Sequence, residues 1–185
     1  MKSSRRSLLQ SAAVAFVLFG TAQPRKGHAH HGWGAFKLDD PVYLEGIARE
    51  VKWRNPHAEV SLELSRPLRL PHDLASRPIP AQSAGIKLGA LLEKARVPSG
   101  TDRLWDIELA PLFRMAQWSV PELRAGQSLA VLGFALREPP APEESTPGTG
   151  GASRQQGESA KAAPLLRAEL LFFEGRTYPL RSGPA

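Results

Sequence analysis

The sequence predicts an all-β fold, and three observations carry that prediction. Segments with apolar residues at every second position recur along the chain, Pro and Gly interrupt them often (17 and 16 of 185 residues), and no heptad or longer repeat is present. Period-two alternation puts one side of an extended chain on a core and the other in solvent, whereas Pro removes the backbone donor a helix interior needs.

Taken in order, the first strand is expected just after Pro41, which cannot donate a ladder hydrogen bond, with Val42, Leu44, Ile47, Val51 and Trp53 as its apolar residues. Its alternation slips at Glu45-Gly46, which predicts a bulge there. Arg54-Asn55-Pro56 is a turn, and His57 to Leu64 then alternates cleanly, Ala58, Val60, Leu62 and Leu64 against His57, Glu59, Ser61 and Glu63. Residues 65–103 carry Pro67, Pro71, Pro78, Pro80 and Pro98 and read as an insertion, with room for a short helix within 85–96 through Leu88, Leu91 and Leu92.

A third strand covers Leu104 to Ala110, and Pro111 suits the first turn of a helix running to about Trp118. Gln127 to Arg137 is apolar on both faces and reads as a central strand. Residues 138–163 are rich in Pro, Glu, Ser, Gly and Gln, bury too little to order, and are expected to form a disordered loop. Leu165 to Phe173 is a strand, and Glu174-Gly175 turns it into a short one at Thr177 to Leu180. Five strands plus a short sixth, with one short helix between the third and fourth, match a small OB-like barrel bearing a helical, Pro-rich insertion.

The formal charge of +6 invites a nucleic-acid reading, but its location removes it. Lys2, Arg5, Arg6, Arg25 and Lys26 lie within residues 1–29, which hold no acid, so only +1 belongs to the remainder. Nucleic-acid affinity depends on neutralising phosphates, and +1 gives little for that. Residues 1–29 read instead as an export signal: a basic head, an uncharged run, and small residues before two candidate cuts, after Ala22 or after Ala29. The apolar run Ala12 to Phe19 is far short of the roughly 20 residues of a spanning helix, so contact with a membrane is expected only through the uncleaved leader during export. Ser4-Arg5-Arg6-Ser7-Leu8-Leu9-Gln10 resembles the twin-arginine export motif, which implies folding before export. The expected product is a periplasmic or secreted single domain, residues 30–185.

Catalytic signatures are missing from the sequence. There is no Cys, no Gly-x-Ser-x-Gly, no phosphate loop, no dinucleotide Gly pattern and no His-Glu-x-x-His. Asp106 and Glu108 share a strand face, as carboxylates on solvated faces commonly do. A non-enzymatic protein is the expectation.

Histidines are the informative residues. His28, His30 and His31 crowd the end of the leader, and His57 follows the Asn55-Pro56 turn, while His72 sits in the Pro-rich insertion beside Asp73 and reads as solvated. A cut after Ala29 gives His30 a free α-amine beside its imidazole, a chelating pair that His31 or His57 would complete. Such nitrogen-rich coordination favours Cu(II) among divalent first-row metals. The candidate metal site is therefore His30, His31 and His57, with a copper ion as the cofactor. Trp33, Trp53 and Trp105 form a second candidate, a binding face that would dock on an exported enzyme or envelope component or stack on sugars.

The run His30-His31-Gly32-Trp33-Gly34-Ala35-Phe36, then Asp40-Pro41-Val42-Tyr43-Leu44-Glu45-Gly46 and Val51-Lys52-Trp53-Arg54-Asn55-Pro56-His57-Ala58, resembles a widespread family of small exported bacterial proteins of unknown function. The double His and the Trp-x-Asn-Pro-His run are its specific parts. The resemblance covers about 30–64, 104–137 and 165–181, and implies a short exported barrel with His30, His31 and His57 as signature residues. The insertion at 65–103 and the long Pro/Gly loop depart from the family pattern.

Overall fold

The strand predicted to be central, β4 (Ser128–Leu136), lies between two others because both its faces are apolar. Its neighbours are β1 (Phe36–Lys52) and β5 (Leu165–Phe173), both antiparallel to it. The computed structural model describes residues 32–137 and 162–185. The expected leader, His30, His31 and residues 138–161 of the expected loop lie outside the described residues.

β1 continues through the Asn55-Pro56 turn to β2 (Glu59–Leu64), and β2 pairs antiparallel with β3 (Leu104–Glu108). β3 then pairs parallel with β5. Each of β1 to β5 thus has a strand on both sides, which leaves the sheet barrel-like and its edges largely answered. β6 (Arg176–Pro179) adds to β5 through a two-residue turn in which Glu174 and Gly175 both take positive φ, 49° and 71°. Two positive-φ central residues match the right-handed twist of the flanking strands.

The interior is filled by the alternating residues expected: Ala58 and, in β2, Val60, Leu62 and Leu64 are all at most 4% exposed, and they meet Leu44, Ile107, Val131 and Leu171. Helix α1 (Leu88–Glu93) belongs to the insertion, and α2 (Leu112–Gln117) lies between β3 and β4, as the sequence indicates. The insertion covers the outside of the sheet. Leu74, Leu88, Leu92 and Ala95 pack on Tyr43, Ala130, Leu132, Leu170 and Phe172, which explains why β4 and β5 need apolar residues on both faces. Backbone bonds from Tyr43 to Arg96 (2.8 Å) and from Arg96 to Pro41 (3.1 Å), with the Arg96–Asp40 ion pair, fasten the insertion to β1.

Two local expectations are corrected. β1 begins at Phe36 rather than after Pro41: the β1–β4 register shifts between Phe36 and Pro41, so the missing N–H of Pro41 falls where the ladder is irregular. The irregularity of β1 against β2 lies between Ala48 and Glu50, not at Glu45-Gly46. Gly46 answers a different need, since a Cβ there would sit 1.9 Å from the Glu63 carbonyl oxygen.

Candidate functional site

At one end of the sheet the Trp-x-Asn-Pro-His run and α2 meet. Beyond the ends of β2 and β3 the ladder continues, Leu109 N–H donating to Ala58 (2.8 Å) and Ala58 N–H to Ala110 (3.2 Å). The Asn55 side chain accepts from the backbone N–H of Leu112, the first residue of α2, at 3.4 Å. The turn that presents His57 is therefore tied to the helix that presents Phe113 and Arg114. From the other side Trp118 Nε1 donates to the Ser182 carbonyl at 2.7 Å, drawing the C-terminal segment against α2.

Between these pieces lies a cleft of about 240 Å³. Trp33, His57, Phe113, Arg114, Arg167 and Arg181 line it, over an apolar floor that includes Leu109 and Leu180. His57 is half-buried, and its Nδ1 lies 3.5 Å from Glu108 Oε1. That same oxygen accepts from Arg167 Nη2 at 2.6 Å, in a pair whose side chains are only 8% and 9% exposed. Arg167 also stands over Phe36, 4.4 Å from the ring centroid, and 5.1 Å from the Trp33 centroid. Arg181 lies 4.0 Å from the Trp33 centroid and 2.8 Å from Glu169 Oε2. Cation–π contacts at such distances hold both guanidiniums and the indole in register.

Glu169 is 1% exposed, and burial pushes its carboxyl up to about 7 against the opposing effect of Arg181. Desolvation disfavours the charged carboxylate more than one guanidinium restores it. Glu108 corrects the sequence expectation of a solvated carboxylate pair: it is 7% exposed and faces His57 and Arg167, while Asp106 accepts from Ser61 Oγ at 2.9 Å.

Of the predicted residues, the structure brings His57 and Trp33 to one cleft. Trp53 and Trp105 are elsewhere: Trp105 is 7% exposed inside the main core, Trp53 packs half-buried on that core, and Trp33 packs on a separate cluster of Phe36, Phe134 and Leu165. A common face of the three tryptophans is thus replaced by Trp33 alone beside His57. His72 is exposed, as expected. Among the described residues there is no group of three or more His, Cys, Asp or Glu side chains that could hold a metal ion.

Sequence reasoning missed Glu108, Arg114, Arg167, Glu169 and Arg181. Arg167 and Glu169 carried a signal, two charges set into the otherwise apolar run Leu165 to Phe173, every residue of which is buried. Charges in such a run have to be paired. Comparison with family models, curated proteins and solved structures finds no match to this chain.

Proposed function

We propose that the chain is an exported, non-catalytic protein of OB-like barrel form, akin to the small exported bacterial family it resembles, whose working site is the cleft between Trp33 and His57. The strand order β1-β2-β3-β5-β4-β1, with its single parallel β3–β5 pair and α2 between β3 and β4, supports the OB-like reading. In this reading the leader carries the chain to the periplasm or outside the cell and is cut after Ala29.

The favoured occupant is Cu(II), held by His57 with His30 and His31. The observation that carries it is Trp33 and His57 lining one cleft. His31 and His30 precede Trp33 by two and three residues in the sequence. His57 fits a ligand role on its own chemistry. The Glu108 carboxylate lies on the Nδ1 side at 3.5 Å, longer than a formed hydrogen bond, on the side from which carboxylates orient metal-binding imidazoles. Arg167 holds Glu108 in place for that work. Glu108 offsets Arg167, and Glu169 offsets Arg181 once pH exceeds about 7, which lessens the repulsion a cation would meet. Bound there, the ion would supply a Lewis-acid or electron-transfer centre.

The test is calorimetric titration of Cu(II) into protein exported with its native amino terminus. Stoichiometric binding is expected, weakened at least tenfold by His57→Ala and by one extra residue before His30. Binding indifferent to both changes, or none at all, overturns the reading.

A second reading, docking on an exported enzyme or envelope component, is favoured by Phe113, which is 61% exposed on the cleft rim. Docking insensitive to chelator and abolished by Phe113→Ser would select it.

A further inference from the structure

The same cleft has a charge balance that a metal site does not require. Three guanidiniums line it, Arg114, Arg167 and Arg181, and two carboxylates answer them: Glu108 on Arg167 and Glu169 on Arg181. Among the described residues, Arg114 is the one of the three with no carboxylate against it. It donates to Gln117 Oε1 at 2.9 Å and lies 5.5 Å from the Phe113 ring centroid, both uncharged. Gly183 lets the guanidinium lie close to the C-terminal segment, since a Cβ there would come within 2.6 Å of Arg114 Nη1. Beside this charge lie the exposed Phe113 ring, the Trp33 indole and the apolar floor of Leu109 and Leu180. At about 240 Å³ the space is below the roughly 300–1,000 Å³ of sites for drug-sized ligands, which limits the occupant to a small molecule.

We infer that the cleft binds a small oxyanion carried on an apolar, planar body, an aryl carboxylate or aryl phosphate, with Arg114 on the oxyanion and Phe113 and Trp33 against the ring. The guanidinium presents a planar fork of donors that matches carboxylate and phosphate geometry, and an aromatic face accepts a flat apolar body. Arg167 and Arg181, held by their carboxylates and by the indole, are fixed walls of the cleft.

The test uses the full exported chain in EDTA, so that failure of the copper reading leaves it untouched. Phenyl phosphate, benzoate, inorganic phosphate and benzyl alcohol are titrated calorimetrically. One or both aryl anions bind; a preference between them identifies the oxyanion. Inorganic phosphate, lacking the ring, and benzyl alcohol, lacking the charge, bind at least tenfold more weakly. Arg114→Gln lowers affinity for the aryl anion at least tenfold, and Phe113→Ser, at a position 61% exposed, lowers it severalfold with the fold checked by circular dichroism. Arg103→Ala, remote and exposed, changes nothing. Equal binding of benzyl alcohol, unchanged affinity in Arg114→Gln, or no binding of either aryl anion overturns the inference.

Discussion

The interior of the sheet and the cleft at its end are built on opposite terms. Leu44, Leu62, Ile107, Val131 and Leu171 meet in the main core with no ionisable group among them, each at most 1% exposed. A few residues away along the same strands, Glu108, Arg167 and Glu169 are also buried, at 7%, 7% and 1% exposed, while charged or titratable. Apolar burial stabilises without demanding a partner, at about 25 cal/mol per Å² removed from water. Buried charge is tolerated only when paired, and replacing such a pair by apolar residues of similar volume is often neutral or better. The difference teaches that the core accounts for the fold, while the charged cluster fixes geometry at the cleft: Glu108 holds Arg167 beside the His57 ring.

The sharpest way to break that comparison is to separate the Glu108–Arg167 pair. Glu108→Ala strands a buried guanidinium and is expected to cost about 3–5 kcal/mol, whereas Glu108→Leu combined with Arg167→Met recovers most of it. Chemical denaturation of both variants measures this, and equal losses would contradict it. Next in size, Leu62→Ala should cost about 2–5 kcal/mol through lost burial and the cavity left behind. It should leave ligand binding at the cleft unchanged in the folded fraction.

The third prediction concerns pH. Burial lifts the Glu169 carboxyl from 4.5 to about 7, so between these values the folded chain keeps a proton the unfolded chain has released. Its contribution to stability is complete below pH 4.5 and is lost as pH rises through about 7. Glu169→Gln removes this dependence. Relative to the unsubstituted protein it should gain up to about 3 kcal/mol between pH 4.5 and pH 8, at roughly 1.4 kcal/mol per pH interval of separation. Denaturant midpoints at the two pH values check the sign, and a gain in the opposite direction would contradict the burial argument.

Sequence pattern reached the regular part of the molecule because burial there is local. The alternation of Ala58 to Leu64 and the two-faced apolar run of β4 depend on neighbours that any β-sheet supplies. The start of β1 was hidden because Pro41 forbids a donor only where the ladder needs one, and here it does not. The packing of the insertion was hidden by its prolines, which interrupt regular elements but do not prevent burial of Leu74, Leu88 and Leu92. His57 and Trp33 were legible as residue types. Glu108 and Arg167 were not, because the pair closes across 59 residues and only the parallel β3–β5 pairing brings them together.

The central claim is that imidazoles from the start of the exported chain meet His57 at the cleft. Electron paramagnetic resonance of the Cu(II)-loaded protein with its native amino terminus, labelled with ¹⁵N in the imidazoles of histidine, tests this directly. The account predicts imidazole superhyperfine coupling in the native protein and a simpler pattern in His57→Ala, with one imidazole nitrogen fewer. A spectrum identical in the two proteins, or one with oxygen ligands alone, would contradict it.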